Sequence, residues 1–130
     1  MRMIPILAAA ALAGGCTMNS QPLEASPEED AQLSAELRDF DEAGPAVACV
    51  STRDIRGNRS AGNALIFNGP GGLVWVNRAG CPSLRAGRAL QTRTFSTRMC
   101  SGDIANVFDP QTGQEFGSCG LARFEPYRRR

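Results

Sequence analysis

The chain has 130 residues, 42% of them hydrophobic, and a formal net charge of +1. That length bounds it to a single domain, and the absence of histidine excludes Ser-His-Asp and Cys-His catalysis as well as imidazole metal ligands. The near-zero charge hides an asymmetry: residues 16–45 hold eight acids against Arg38, whereas residues 46–130 hold five acids against twelve arginines.

Residues 1–15 have the order of an export signal. Arg2 gives a positive start, Ile4 to Ala13 an apolar stretch, and Gly14-Gly15 small residues before a cut. The apolar stretch is shorter than the roughly 20 residues a membrane span needs. Leu12-Ala13-Gly14-Gly15-Cys16 resembles a bacterial lipobox, with Leu12 one place further from the cysteine than in the commonest form. The reading is a lipidated Cys16, because a thiol carries a thioether-linked lipid and two or more acyl chains anchor stably. Thr17 follows where an aspartate would retain such a protein at the inner membrane, so the expected address is the outer membrane, facing the periplasm.

Residues 16–45 then read as a tether and an acidic amphipathic helix. Ser26-Pro27-Glu28-Glu29 is a capping box with proline at the first helical position. Leu33, Leu37 and Phe40 follow as one helical stripe, and the helix is expected to stop before Gly44-Pro45. Asp39, Asp41 and Glu42 oppose the negative end of its dipole.

From Ala46 the texture changes to short strands and glycine-rich turns. Strands are predicted at 46–52, 63–68, 73–77, 93–99, 103–108 and 115–124, with a hairpin turn at Gly69-Pro70-Gly71-Gly72. That turn lacks the Lys-Ser/Thr pair and following helix of a phosphate loop. Gly117 and Gly120 predict a bulge or bend in the last strand. About six strands over so few residues predict a mainly β domain, a small antiparallel barrel or sandwich, over 46–127. Arg128-Arg129-Arg130 are left as a basic tail.

With Cys16 set aside, Cys49, Cys81, Cys100 and Cys119 remain, too widely spaced for a four-cysteine zinc site. An even number in an exported chain predicts two disulfides. Of the three possible pairings, closure of a barrel favours Cys49–Cys119 between first and last strands, with Cys81–Cys100 closing the arginine-rich excursion between them.

No cofactor is expected. Asp54 and Asp103 both lie near cysteines, and turn hydrogen bonding accounts for them better than a hydrolytic carboxylate pair does. The arginines carry the remaining chemical lead, since guanidinium groups suit phosphate and carboxylate partners. Arg53, Arg56 and Arg59 cluster in CVSTRDIRGNR, and Arg85 and Arg88 lie between Cys81 and Cys100. They form a candidate anion-binding set, for which the acidic N-terminal segment is also an intramolecular partner. Nucleic acid is not an expected partner, given one Trp, one Tyr and an export signal.

The segments CVSTRDI (49–55), VWVNRAGCPSL (74–84), CSGDI (100–104) and CGLARFEP (119–126) resemble a family of small exported proteobacterial proteins of uncharacterised function. The resemblance spans residues 46–127 and implies export, disulfides and one compact domain; it carries over no catalytic or binding residues. The functional expectation is a non-enzymatic outer-membrane lipoprotein, a binding or structural accessory module held by its lipid and meeting an anionic envelope component or a protein. The alternative is an inhibitor of a cell-wall hydrolase or protease acting through residues 82–92.

Overall fold

The computed structural model describes residues 26–81, 83–84, 87–92 and 96–130. The leader, Cys16, the tether, Arg85 and Phe95 lie outside the described residues.

Helix α1 (Pro27–Glu36) begins as its sequence dictates. Ser26 Oγ accepts from the Glu29 amide at 3.3 Å, and Glu29 Oε2 accepts from the Ser26 amide at 2.8 Å. The helix ends much earlier than Gly44. Leu37 closes it by donating its N–H to Leu33 O, and Phe40 enters strand β1 (Phe40–Glu42) instead. The acids at 39, 41 and 42 disfavour a further helical turn. As a strand they find opposite charge, with Asp41 set against Arg128 and Phe40 against Arg129 in β10 (Phe124–Arg129). Arg128 and Arg129, read as part of a tail, therefore belong to a sheet.

Among the described residues, ten strands form three antiparallel sheets. The largest has the order β1-β10-β5-β4-β3, adding β3 (Gly57–Ala61), β4 (Ala64–Asn68) and β5 (Leu73–Asn77). A three-stranded sheet has the order β6-β8-β9, from β6 (Ala89–Thr92), β8 (Ile104–Phe108) and β9 (Glu115–Gly120). A two-stranded ribbon pairs β2 (Cys49–Ser51) with β7 (Arg98–Cys100). The architecture is a sandwich and not a closed barrel: β1 and β3 are free edges of the large sheet.

The central strand β4 explains the layering. Its side chains alternate across the sheet, and both faces are buried, so it reads as a continuous apolar run. Ala64 and Ile66 join Val74, Val76 and Phe40 under α1, where Leu33 docks. Leu65 and Phe67 face the other way, into a core with Phe124 from β10 and with Val50, Met99, Ala105 and Val107 from the smaller sheets. The expected stripe Leu33, Leu37, Phe40 does face one cluster, but a helix and a strand share it. The expected bulge is present: the β8–β9 register shifts between Val107 and Phe108, opposite Gly117 and Glu115, leaving Phe116 as the extra residue.

The disulfides are Cys49–Cys100 and Cys81–Cys119, so the pairing expected from barrel closure is corrected. The expected first strand, 46–52, meets β10 through Val47, which exchanges two 2.8 Å backbone hydrogen bonds with Phe124. The chain then leaves β10 and pairs with β7, which puts Cys49 directly opposite Cys100. Cys81 follows β5 into the inner core, where β9 presents Cys119. The bridges span 51 and 38 positions, and in the chain-entropy model each contributes about 4 kcal/mol.

A candidate anion-binding face

Of the five arginines singled out by sequence, Arg85 lies outside the described residues, and the other four differ in how they are engaged. Arg59, on β3, donates from Nε to Glu36 Oε2 at 3.1 Å and from Nη1 to Asn68 Oδ1. Arg88 stacks its guanidinium 3.6 Å from the Phe116 ring centroid, over the β9 bulge, and donates to Ser83 O at 2.7 Å. Both are half-buried and spent on internal contacts.

Arg53 and Arg56 remain. Arg53 belongs to a 3-10 turn, Thr52–Asp54, seated by Thr52, whose N–H and Oγ1 both donate to Thr97 O at 2.9 Å. Ile55 follows and packs against the inner core, which fixes the two arginines on either side of it. Arg56 leads into β3 and gives its backbone N–H to Asn68 O at 2.8 Å. Both side chains are exposed, and neither makes an ion pair or a side-chain hydrogen bond among the described residues. Arg98 on β7 lies opposite Ser51, the residue before this turn, and is also exposed. Sequence reasoning passed over Arg98, because only the β2–β7 register brings it to the Arg53 turn. Asp54 is the acid within this face, and it too is exposed.

Elsewhere, acids and arginines meet. Asp41 accepts from Arg130 Nε at 2.8 Å, Glu125 from Arg78 Nε at 2.7 Å, and Glu36 from Arg59. Such exposed pairs contribute only about 0–1 kcal/mol each, but they cancel charge locally. Glu36 and Asp41 thus engage arginines beside the large sheet, while among the described residues Arg53 and Arg56 at the end of the β2–β7 ribbon receive no acid.

The two aspartates near cysteines lie apart. Asp103 Oδ2 accepts from the Cys100 amide at 2.7 Å and so closes the turn after β7. Asp54 sits beyond the other end of the ribbon. Among the described residues no group of three or more His, Cys, Asp or Glu is placed to hold a metal ion, and no helix is long and apolar enough to cross a membrane.

Comparison with protein-family models, with curated proteins and with solved structures found no match.

Proposed function

We propose that this chain is an exported, lipid-anchored binding module of the outer membrane that holds an anionic envelope component at Arg53 and Arg56. The observation that carries the reading is the partition of charge: the N-terminal acids engage Arg59 and Arg130, and Arg53 and Arg56 stand exposed without an acid partner among the described residues. Guanidinium groups in this setting suit phosphate or carboxylate oxygens, which they meet through paired N–H donors. The address rests on the leader and Cys16, and the two disulfides suit an oxidising compartment.

The test is binding of the full chain to lipopolysaccharide aggregates and to neutral phosphatidylcholine vesicles at low and high salt. Salt-sensitive binding to the anionic surface alone is the expected result. Each arginine near such a surface contributes about 1 kcal/mol, so Arg53→Gln with Arg56→Gln should weaken it on the order of 30-fold. Equal binding to both surfaces, or an unchanged affinity in the double variant, would overturn the reading.

A further inference from the structure

The three-stranded sheet has an outer face that the anion-binding reading does not use. Leu90, Ala105, Val107 and Cys119 point toward the inner core, so alternation turns their neighbours outward. The register sets Gln91 of β6 opposite Asn106 of β8, and Asn106 opposite Ser118 of β9. These three side chains form one row across the sheet. Neighbouring strands lie about 4.8 Å apart, so the row is about 10 Å long. Ile104 and Phe108 flank it along β8, two residues to either side of Asn106. Ile104 is 52% exposed, and its partner on β9 is Gly120, where a Cβ would meet nothing within 4 Å. That flank is open.

The row is polar, uncharged and unpartnered. Gln91 and Ser118 are exposed and Asn106 is half-buried. None of the three side chains makes a hydrogen bond among the described residues. Charged residues make up 21% of the chain, yet among the described residues the register brings only Glu115, beside Phe108, to this face.

An ionic ligand finds no counter-charge in the row. A folded partner finds too little surface: about 10 Å by about 13 Å of sheet is on the order of 100–200 Å², against about 800 Å² on each side of a stable complex. An extended peptide adds to a strand edge through its backbone, whereas a sheet face offers side chains alone. Amides and hydroxyls both donate and accept, while carboxylates only accept and ammonium groups only donate. The ligand that uses both capacities at every point is one made of hydroxyls. A sugar chain carries hydroxyls along its edges and C–H groups on its ring faces, and the latter suit apolar flanks. We infer that this face binds a short, extended, neutral glycan laid across β6, β8 and β9. Its hydroxyls meet Gln91, Asn106 and Ser118, and its ring C–H groups meet Ile104 and Phe108.

Cellotriose, a straight uncharged trisaccharide, is the probe. It is titrated into isotope-labelled full-length chain in sugar-free detergent micelles and followed by NMR. Saturable shifts are expected at the side-chain amides of Gln91 and Asn106 and at the Ile104 methyls. Loss of one hydrogen bond should cost roughly fivefold in affinity, so Asn106→Ala and Ser118→Ala should each bind about fivefold more weakly. Neither side chain has a partner among the described residues to lose, so folding should survive both changes. The affinity should be equal at low and high salt and unchanged by Arg53→Gln with Arg56→Gln, which separates this site from the anionic one. The inference falls if cellotriose gives no saturable shifts on this face, if both alanine variants bind it as the unmodified chain does, or if salt weakens the binding. It also falls if sedimentation finds a dimer that Ile104→Asn separates, because a second copy then covers the face.

Discussion

Asn77 and Ala122 hold each other by two hydrogen bonds inside the protein: Asn77 Nδ2 donates to Ala122 O at 2.8 Å, and the Ala122 N–H donates to Asn77 Oδ1 at 2.9 Å. Asn77 is 0% exposed, the buried polar side chain at the end of β5. Its amide imitates a strand's backbone and receives the chain where it passes from β9 to β10. Leu121 and Phe124 on either side of Ala122 can then both enter the inner core.

Asn77→Ala should therefore be costly. It strands one donor and one acceptor of Ala122, and a buried unsatisfied group costs about 1–3 kcal/mol. A loss of roughly 2–5 kcal/mol is expected in urea unfolding. Asn77→Asp keeps the acceptor but buries a carboxylate, whose charged form is disfavoured. That variant should be relatively more stable in acid and lose stability as pH rises and the unfolded chain ionises.

Mapping the cystines by mass spectrometry of non-reduced peptides should link Cys49 with Cys100 and Cys81 with Cys119. Replacing either pair by serine should cost about 2–5 kcal/mol. The two replacements differ in what they expose. Cys49 and Cys100 are partly exposed partners on the β2–β7 ribbon, whereas Cys81 is buried in the inner core. Loss of the Cys81 pair should thus also loosen the inner core, visible as reduced near-ultraviolet dichroism from Trp75, which packs against it.

Turn glycines separate backbone freedom from steric fit. Gly62 opens the two-residue β3–β4 loop at φ +60°, and its N–H donates to Gln32 on α1. A Cβ there would come within 2.6 Å of Glu29 O. Gly113 has a similar φ of +75°, but a Cβ there meets nothing within 4 Å. Gly113→Ala should cost about 1–2 kcal/mol for the left-handed backbone alone. Gly62→Ala should cost a further ~1–3 kcal/mol as the helix is pushed off the sheet, and amide exchange in α1 should quicken only in that variant.

What could be read from the sequence follows from where stability is local. The start of α1 and the β4–β5 hairpin were legible, because the capping box and two apolar runs around Gly69–Gly72 specify them within a few residues. β3 was not: Gly-Asn-Arg-Ser-Ala has no apolar alternation, and it is a strand because Gly62-Asn63 folds it onto β4. β10 was hidden by Pro126 and its arginines. The proline is tolerated because its backbone faces the β1 side just past the end of that short strand, where its carbonyl accepts from Ala43 N–H. The disulfide pairing and the place of Arg98 both hang on the β2–β7 register, which depends on contacts 51 positions apart. The anion-binding set was half legible. Arginine type marked the residues, but only the fold shows that, among the described residues, Arg59 and Arg88 are engaged while Arg53 and Arg56 are not.

The charge partition gives a sharper test than removing arginines. Glu36 and Arg59 are each about 40% exposed, with side-chain values of 45% and 36%, so their pair contributes at most ~1 kcal/mol to stability. Glu36→Gln should leave urea unfolding nearly unchanged. It should nevertheless remove the carboxylate that cancels the Arg59 charge, three residues from Arg56, and so add one positive charge to that side of the molecule, with Asn68 still holding the guanidinium. If Arg53 and Arg56 hold an anionic surface, the variant should bind lipopolysaccharide aggregates about fivefold more tightly, the gain of roughly 1 kcal/mol for one more arginine near such a surface. The gain should disappear at high salt. An affinity that stays constant at low salt, with stability also unchanged, would separate Arg59 from the binding face and confine that face to the turn at Arg53 and its neighbours.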